Sequence, residues 1–345
     1  MKIKVLTAYP NAIWGTHAAE WLAKAAALDV HGVHTLTEDP EAADAILFME
    51  GHQGTDMFME EVLWHPLRRR YPDKTFIYHD WDYAFPLMQG VYPSIRAVHH
   101  KPGVSAGGVY LARIEENHPV SRARDLNLPQ DLLYSFVGAN NCEVRNRILK
   151  ADVPQTYVAD TTQRHAWLLS PEERATYEGE YASVCVRSRF MLSPRGIGPS
   201  TYRLFEAMEM GRCPVILSDD WVPPPFIPWG KFSLRVKESQ VGDLPRILAD
   251  APHVALGRAA REAWEQHVDR PHAFHHLAET LQQILAHKGA LQRTPRPYLD
   301  LLASDMRNLY LRARAKRIKR ALKSLLASRP TSASVPEAGG QGAKP

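Results

Sequence analysis

The chain is poor in cysteine and has no long apolar run. Its three cysteines, Cys142, Cys185 and Cys213, are widely spaced in 345 residues. They form no Cys-x-x-Cys pair and cannot all be bonded to one another, which argues against a disulfide scaffold and for a reducing compartment. The longest apolar stretches, such as residues 45–49 and 215–217, fall far short of the ~18 residues that a spanning helix needs. The opening residues, Met-Lys-Ile-Lys-Val-Leu, read directly as a strand. They lack the apolar core of a signal peptide, so a cytoplasmic protein is expected. No internal repeat of 20–50 residues is present. The sixteen histidines include no His-Glu-x-x-His and no Cys/His metal spacing. The groups His99-His100 and His272/His275/His276 read as surface pairs, and no metal is expected.

What is present is a soluble globular composition: 45% hydrophobic and 23% charged residues. The length exceeds one ordinary core, so two domains are expected. The formal charge of +4 hides an asymmetry. Residues 307–329 carry nine Lys/Arg and no acid; without residues 307–345 the balance is 32 basic against 37 acidic. The body is mildly acidic and the basicity is local.

Apolar runs at residues 3–6, 45–49 and 75–78 alternate with helical patterns such as the Ala-rich 16–28. That alternation predicts a parallel sheet. Polar residues follow two of these runs directly: Glu50-Gly51-His52 and His79-Asp80-Trp81-Asp82. Ligands of open parallel sheets bind at the carboxyl ends of strands, so both groups are well placed. Residues 118–132 are polar and read as a linker region. A second β/α series starts at residues 134–138, with helices expected near 144–150, 244–248, 258–267 and 271–287. The reading is an α/β protein of two Rossmann-like domains facing a cleft. The first domain is assigned to 1–120, a linker to 121–132, the second domain to 133–290, a helical segment to 291–329 and a disordered tail to 330–345.

Residues 190–234 form one unit of strand, Gly-rich loop, short helix, strand and acidic Pro-rich loop. Ser200 is read as the N-cap of a helix over 201–210 and Gly211 as the residue that ends it. The free N–H groups and dipole of that helix favour an anion held over Arg195-Gly196-Ile197-Gly198. Gly196 and Gly198 let backbone approach a diphosphate. Arg195 and Arg203 supply charge and bidentate donors for it. Glu206, three residues after Arg203, lies a turn deeper and suits the two hydroxyls of a ribose. Each member has a plainer reading: an Arg/Glu pair at this spacing is usually a surface ion pair, and two glycines usually a turn. The ordered combination carries the functional one.

The run P-R-G-I-G-P-S-x-x-R-L-F-E-A-M-x-x-G-R-C-P-V-I-L-S-D-D-W-V-P-P-P-F resembles the signature of the exostosin-like glycosyltransferases. The likeness is dense over residues 186–240, present at 134–139 with 144–149, and thin before residue 75. It implies a GT-B fold, an inverting transfer from a nucleotide-diphosphate sugar and no cofactor. It places the donor nucleotide at Gly138, Arg145, Arg195, Gly196, Ser200, Arg203, Glu206 and Asp220. Related retaining enzymes carry two glutamates eight positions apart; with Glu206 as the second, the first position is Gly198, which agrees with inversion. A single displacement then needs a general base from the first domain. Glu50, His52, Asp56, Asp80 and Asp82 are the candidates, with Asp82 and His52 preferred and Glu50 next. The expected acceptor is a glycan or glycolipid in cell-surface polysaccharide assembly. A nucleotide-sugar epimerase and a non-catalytic nucleotide-sugar or glycan-binding protein are the alternatives.

Trp81, Tyr83, Phe85, Tyr92 and Trp221 either stack on sugars or pack in the core. Residues 311–326 form a basic amphipathic helix with the stripe Leu311, Ala315, Ile318, Leu322 and Leu325. Docking on the anionic inner face of a membrane, packing on the body, and nucleic-acid contact are its three readings, in that order. The first implies a peripheral cytoplasmic enzyme.

Overall fold

A computed structural model describes residues 1–12, 16–51, 56–111, 118–123, 126, 128–164, 168–289 and 297–327. Two parallel sheets organise them. The first contains β1 (Lys2–Leu6), β2 (Thr35–Leu36), β3 (Ala45–Glu50), β4 (Thr75–His79), β5 (Gly90–Val91) and β6 (Ser105–Ala106), in the order β2-β1-β3-β4-β5-β6. The second contains β7 (Leu132–Gly138), β8 (Thr156–Asp160), β9 (Ser188–Pro194), β10 (Cys213–Leu217) and β11 (Leu234–Arg235), in the order β11-β10-β9-β7-β8. Every pairing between these strands is parallel. This is the two-domain α/β arrangement of the GT-B type that the resemblance implied.

The central strands show why short apolar runs suffice. All six residues of β3 are buried. Its alternate residues face opposite layers, as the two-residue period of a strand requires. Ala45, Leu47 and Met49 pack with Ala18, Leu22 and Ala25 of α1 (His17–Ala27). Ile46 and Phe48 pack with Val62 and Leu63 of α2 (Glu60–Trp64). Each buried Leu, Ile, Val, Phe or Met among them contributes about 1.5–3 kcal/mol by leaving water. The next helix, α3 (Pro66–Arg70), leads into β4.

Part of the segment expected as a linker is helical: α4 (His118–Ala123) buries Val120 and Ala123. They pack against Ala182, Cys185 and Val186 of α6 (Pro171–Val186), which follows α5 (Glu143–Lys150). In the second domain α7 (Tyr202–Glu209), α8 (Leu244–Ala249) and α9 (His253–His267) complete the layers.

The chain then returns to the first sheet. Phe274, Leu277, Ala278 and Leu281 of α10 (Arg270–Gly289) share a core with α1 and β3. Residues 270–289, assigned to the second domain from sequence, therefore pack on the first, because their apolar face matches α1. After α11 (Pro297–Ala303), α12 (Arg307–Ala327) also lies on the first domain. It buries Tyr310 among Phe58 and its neighbours, with Ala313 packed at the edge. Arg317 pairs with Asp56 at 3.0 Å, Glu60 at 3.4 Å and Glu61 at 2.5 Å. The docked face thus follows 306, 310, 313 and 317. The stripe expected from sequence is a different one: Leu311, Ala315, Ile318 and Leu322 are exposed. The side chain of Leu325 and the tail 330–345 lie outside the described residues.

Candidate active site at the domain seam

The carboxyl ends of β7 and β9 carry two arginines. Arg145 comes from α5 and is 5% exposed. Its Nε donates to the Arg195 carbonyl at 2.8 Å, Nη1 to the Ala139 carbonyl at 3.1 Å and Nη2 to the Pro194 carbonyl at 3.4 Å. Arg203, on the first turn of α7, donates from Nε to the Val137 carbonyl at 2.6 Å. Both guanidinium groups stand over the Phe136 ring, at 5.5 and 5.6 Å. Gly138 and Gly196 make room for them. An added Cβ would lie 2.8 Å from Arg203 Nη2 at Gly138 and 3.0 Å from Arg145 Nη2 at Gly196.

Among the described residues no carboxylate forms an ion pair with Arg145 or Arg203. Burial, followed by the charge of Arg203, pushes the Arg145 guanidinium down to about 10. Two like charges brought this close repel, and an anion bound between them relieves that repulsion. Arg195 differs, because its Nε is held by Glu238 at 2.9 Å. Two buried hydroxyls nearby, Ser193 Oγ and Ser200 Oγ, have no hydrogen-bond partner among the described residues.

The first domain supplies the opposite wall. Asp80 and Asp82 follow the carboxyl end of β4. Burial, then repulsion from Asp82, raises the Asp80 carboxyl to about 7. Asp82 meets the Gly-rich loop of the second domain. An added Cβ on Gly198 would lie 2.8 Å from Asp82 Oδ1 and 2.8 Å from its carbonyl oxygen. The charge of Asp82 also reaches Arg145, whose proton it helps to hold. Tyr110 sits beside both acids, and burial with their charges raises its phenol above the usual range. Cationic cradle and carboxylates therefore face each other across the seam. The seam is tied by Trp221, whose indole N–H donates to the Pro93 carbonyl at 3.4 Å, and by the antiparallel bridge between Arg96 and Trp221.

The residues named from sequence divide into groups. Gly138, Arg145, Arg195, Gly196, Ser200, Arg203 and Asp82 are brought together. Glu206 is 7% exposed and accepts a hydrogen bond from the Tyr181 hydroxyl at 2.5 Å. It borders a cavity of about 450 Å³ shared with Tyr110, Tyr202, Phe205 and Trp264. Asp220 goes elsewhere: its carboxylate is held by Arg96 Nε at 2.5 Å, so it fastens the seam. Asp56 caps α2, accepting from the Glu60 N–H at 3.0 Å, and pairs with Arg317. Glu50 is sealed at 0% exposure. It accepts from the Ala8 N–H at 2.7 Å and the Thr7 hydroxyl at 2.9 Å, and burial outweighs both to raise it to about 8. His52 lies outside the described residues.

One local reading is corrected, and the two readings of the aromatic residues are decided. Thr201, not Ser200, holds the N-cap position of α7, and no side chain caps it. Trp221 is 3% exposed and packs edge-on against Trp229 at 5.0 Å, so it is core. Trp81, Phe85 and Tyr92 are buried as well, whereas Tyr83 is 40% exposed. Gly211 does end the helix as expected, at φ +64°. Tyr110 and Tyr181 were missed, since a tyrosine in an apolar or helical stretch has no local signature. Ser94, which lies against Gly198, was missed as well.

Comparison with known proteins is consistent with that resemblance. Residues 109–251 match the Exostosin GT47 domain. A "Probable glucuronosyltransferase" of Oryza sativa subsp. japonica is 35% identical over 134 residues, 37% of this chain and 30% of the relative. Exostosin-1 of Drosophila melanogaster is 27% identical over 202 residues, 55% of this chain and 25% of the relative. A "Probable beta-1,4-xylosyltransferase" of Arabidopsis thaliana is 31% identical over 136 residues, 36% and 33% of the two chains. The chain thus spans a third or less of the length of these relatives. Among solved structures, Anabaena HepE in complex with UDP aligns with 12% identity and a TM-score of 0.36, covering 82% of this chain and all of that one. TarM aligns with 11% identity and a TM-score of 0.32, covering 62% and 55%.

Proposed function

We propose that the chain is an exostosin-like glycosyltransferase, which transfers a sugar from a nucleotide-diphosphate donor to a glycan or glycolipid acceptor; the match of residues 109–251 to the Exostosin GT47 domain supports this. The observation that carries this is the buried Arg145 beside the half-buried Arg203, neither with a carboxylate ion-pair partner among the described residues. A diphosphate supplies the missing negative charge. Its charge grows as the bond from the sugar C1 to the phosphate oxygen breaks, so both guanidinium groups bind the transition state more tightly than the ground state. The reaction proposed is metal-independent.

Asp82 is the proposed general base. The acceptor hydroxyl attacks C1 from the face opposite the leaving group, giving inversion, and its proton passes to Asp82. Asp80, pushed up to about 7 by burial and by the charge of Asp82, keeps its proton more readily than an ordinary carboxyl and is the poorer base. Glu206 accepts from the ribose hydroxyls, in competition with Tyr181. The exposed apolar stripe of α12, flanked by Arg312, Lys316, Lys319, Arg320 and Lys323, supports docking at an anionic membrane and a role in cell-surface polysaccharide assembly.

The test is incubation with UDP-, GDP- and dTDP-sugars. Slow release of nucleotide, accelerated by an acceptor, is the expected result. An isomerised donor would make the protein an epimerase. Binding without turnover would make it a nucleotide-sugar-binding protein.

A further inference from the structure

Six imidazoles that the sequence keeps in separate stretches meet at one place. His31 and His34 lie between α1 and β2, His267 ends α9, and His272, His275 and His276 lie near the start of α10. The His31 and His275 rings stack with centroids 3.8 Å apart and 15° between planes. His31 Nε2 is 2.9 Å from His272 Nδ1, and His267 Nδ1 is 3.3 Å from His276 Nε2. His34, 5% exposed, places Nε2 2.9 Å from Glu279 Oε1.

Within this cluster His34, His275 and Glu279 each offer one ligand atom, and those atoms lie within 4.8 Å of one another. His275 and Glu279 are four residues apart on α10, hence on one face. Two buried polar atoms here lack a hydrogen-bond partner among the described residues: His275 Nδ1 and Asp29 Oδ1. Hydrogen bonding accounts for His34 with Glu279 but leaves the His275 nitrogen unused.

We propose that His34, His275 and Glu279 form a binding site for one divalent transition-metal ion of the zinc class, separate from the donor cradle. Two imidazoles and a carboxylate are a zinc ligand set, with a fourth position left for water or a further histidine. At metal–ligand distances of about 2.0–2.2 Å, tetrahedral neighbours stand roughly 3.3 Å apart. His34 and Glu279 need to open by a few tenths of an ångström from 2.9 Å, and His275 to close. The ion replaces the proton that His34 and Glu279 share. It joins the loop after α1 to α10, and so fastens the returning chain to the first domain.

The experiment uses the untagged full chain freed of metal with a chelator, titrated with zinc by calorimetry and with cobalt(II) by visible absorption. One ion per chain, the absorption of tetrahedral cobalt and a higher melting temperature with zinc are expected. His275→Gln and Glu279→Gln should each weaken zinc binding by more than about tenfold. His287→Gln, on the same helix outside the cluster, should leave it unchanged. No binding at micromolar zinc, or equal binding by wild type and Glu279→Gln, overturns the site. Glu279 is partly exposed, so its variant reads out even where His275→Gln fails to fold.

Discussion

Gly198 and Asp82 touch across the two domains: a side chain begun at Gly198 would lie 2.8 Å from the Asp82 carboxylate. The loop proposed to approach the donor and the acid proposed to take the acceptor proton are therefore set by the same contact. The glycine is required by that approach and not by its backbone angle, since Gly198 is not among the residues of positive φ.

Gly198→Ala should push the Gly-rich loop away from Asp82. Misplacement by about 1 Å at a reacting centre costs up to 10²-fold in rate. Transfer activity is expected to fall at least tenfold, with a stability loss of about 1–3 kcal/mol from overpacking. Steady-state kinetics beside a thermal melt checks this; unchanged kcat/KM would place the loop outside the site.

Arg203→Ala and Glu206→Ala should weaken nucleotide-diphosphate binding without unfolding the protein. A charge-assisted hydrogen bond contributes about 1.5–3 kcal/mol, so a loss of roughly 10–100-fold is expected for Arg203. Calorimetric titration with UDP and GDP reads it. Wild-type affinity in both variants would remove the donor assignment.

Stability should decline as pH rises from about 5 to about 8. The folded protein holds Glu50 at about 8 against an ordinary value of 4.5, so between those values it binds more protons than the unfolded chain. Raising the pH through this window favours unfolding, on the order of 1–3 kcal/mol. Glu50→Gln removes the group and should flatten the dependence in melts taken from pH 5 to 8. An equally steep slope in the variant would show that Glu50 is not its source.

Leu311→Ser, Ile318→Ser and Leu322→Ser combined should release the protein from anionic vesicles while leaving its melting temperature within a few degrees. These side chains face outward, whereas deletion of α12 would also strip Tyr310 and Arg317 from the core and its acidic rim. Flotation with vesicles of anionic and of zwitterionic lipid, at low and high salt, is the measurement, since each surface Lys or Arg adds about 1 kcal/mol that salt screens. Equal flotation of wild type and variant would exclude the docking face.

Local chemistry was legible from residue order. Residues 45–50 form a buried strand because an unbroken apolar run pairs well on both sides. Gly211 ends α7 because glycine tolerates positive φ. Arg195, Gly196 and Arg203 were legible because one loop and one turn of helix hold them within nine residues. The sequence alone also identified α12 as basic and amphipathic.

What residue order leaves open is which distant groups become partners. Asp220 and Asp82 look alike as acids after a strand, yet Arg96 takes Asp220 to fasten the seam and leaves Asp82 facing the cradle. The apolar stripe of α12 was visible, but Asp56, Glu60 and Glu61 pull its Arg317 side inward and turn the other stripe out. His34 meets Glu279 only because α10 returns to the first sheet. Periodicity and turn chemistry act over a few residues and are written locally. Burial, desolvation and charge pairing depend on what lies across the interface, and only the tertiary structure decides that.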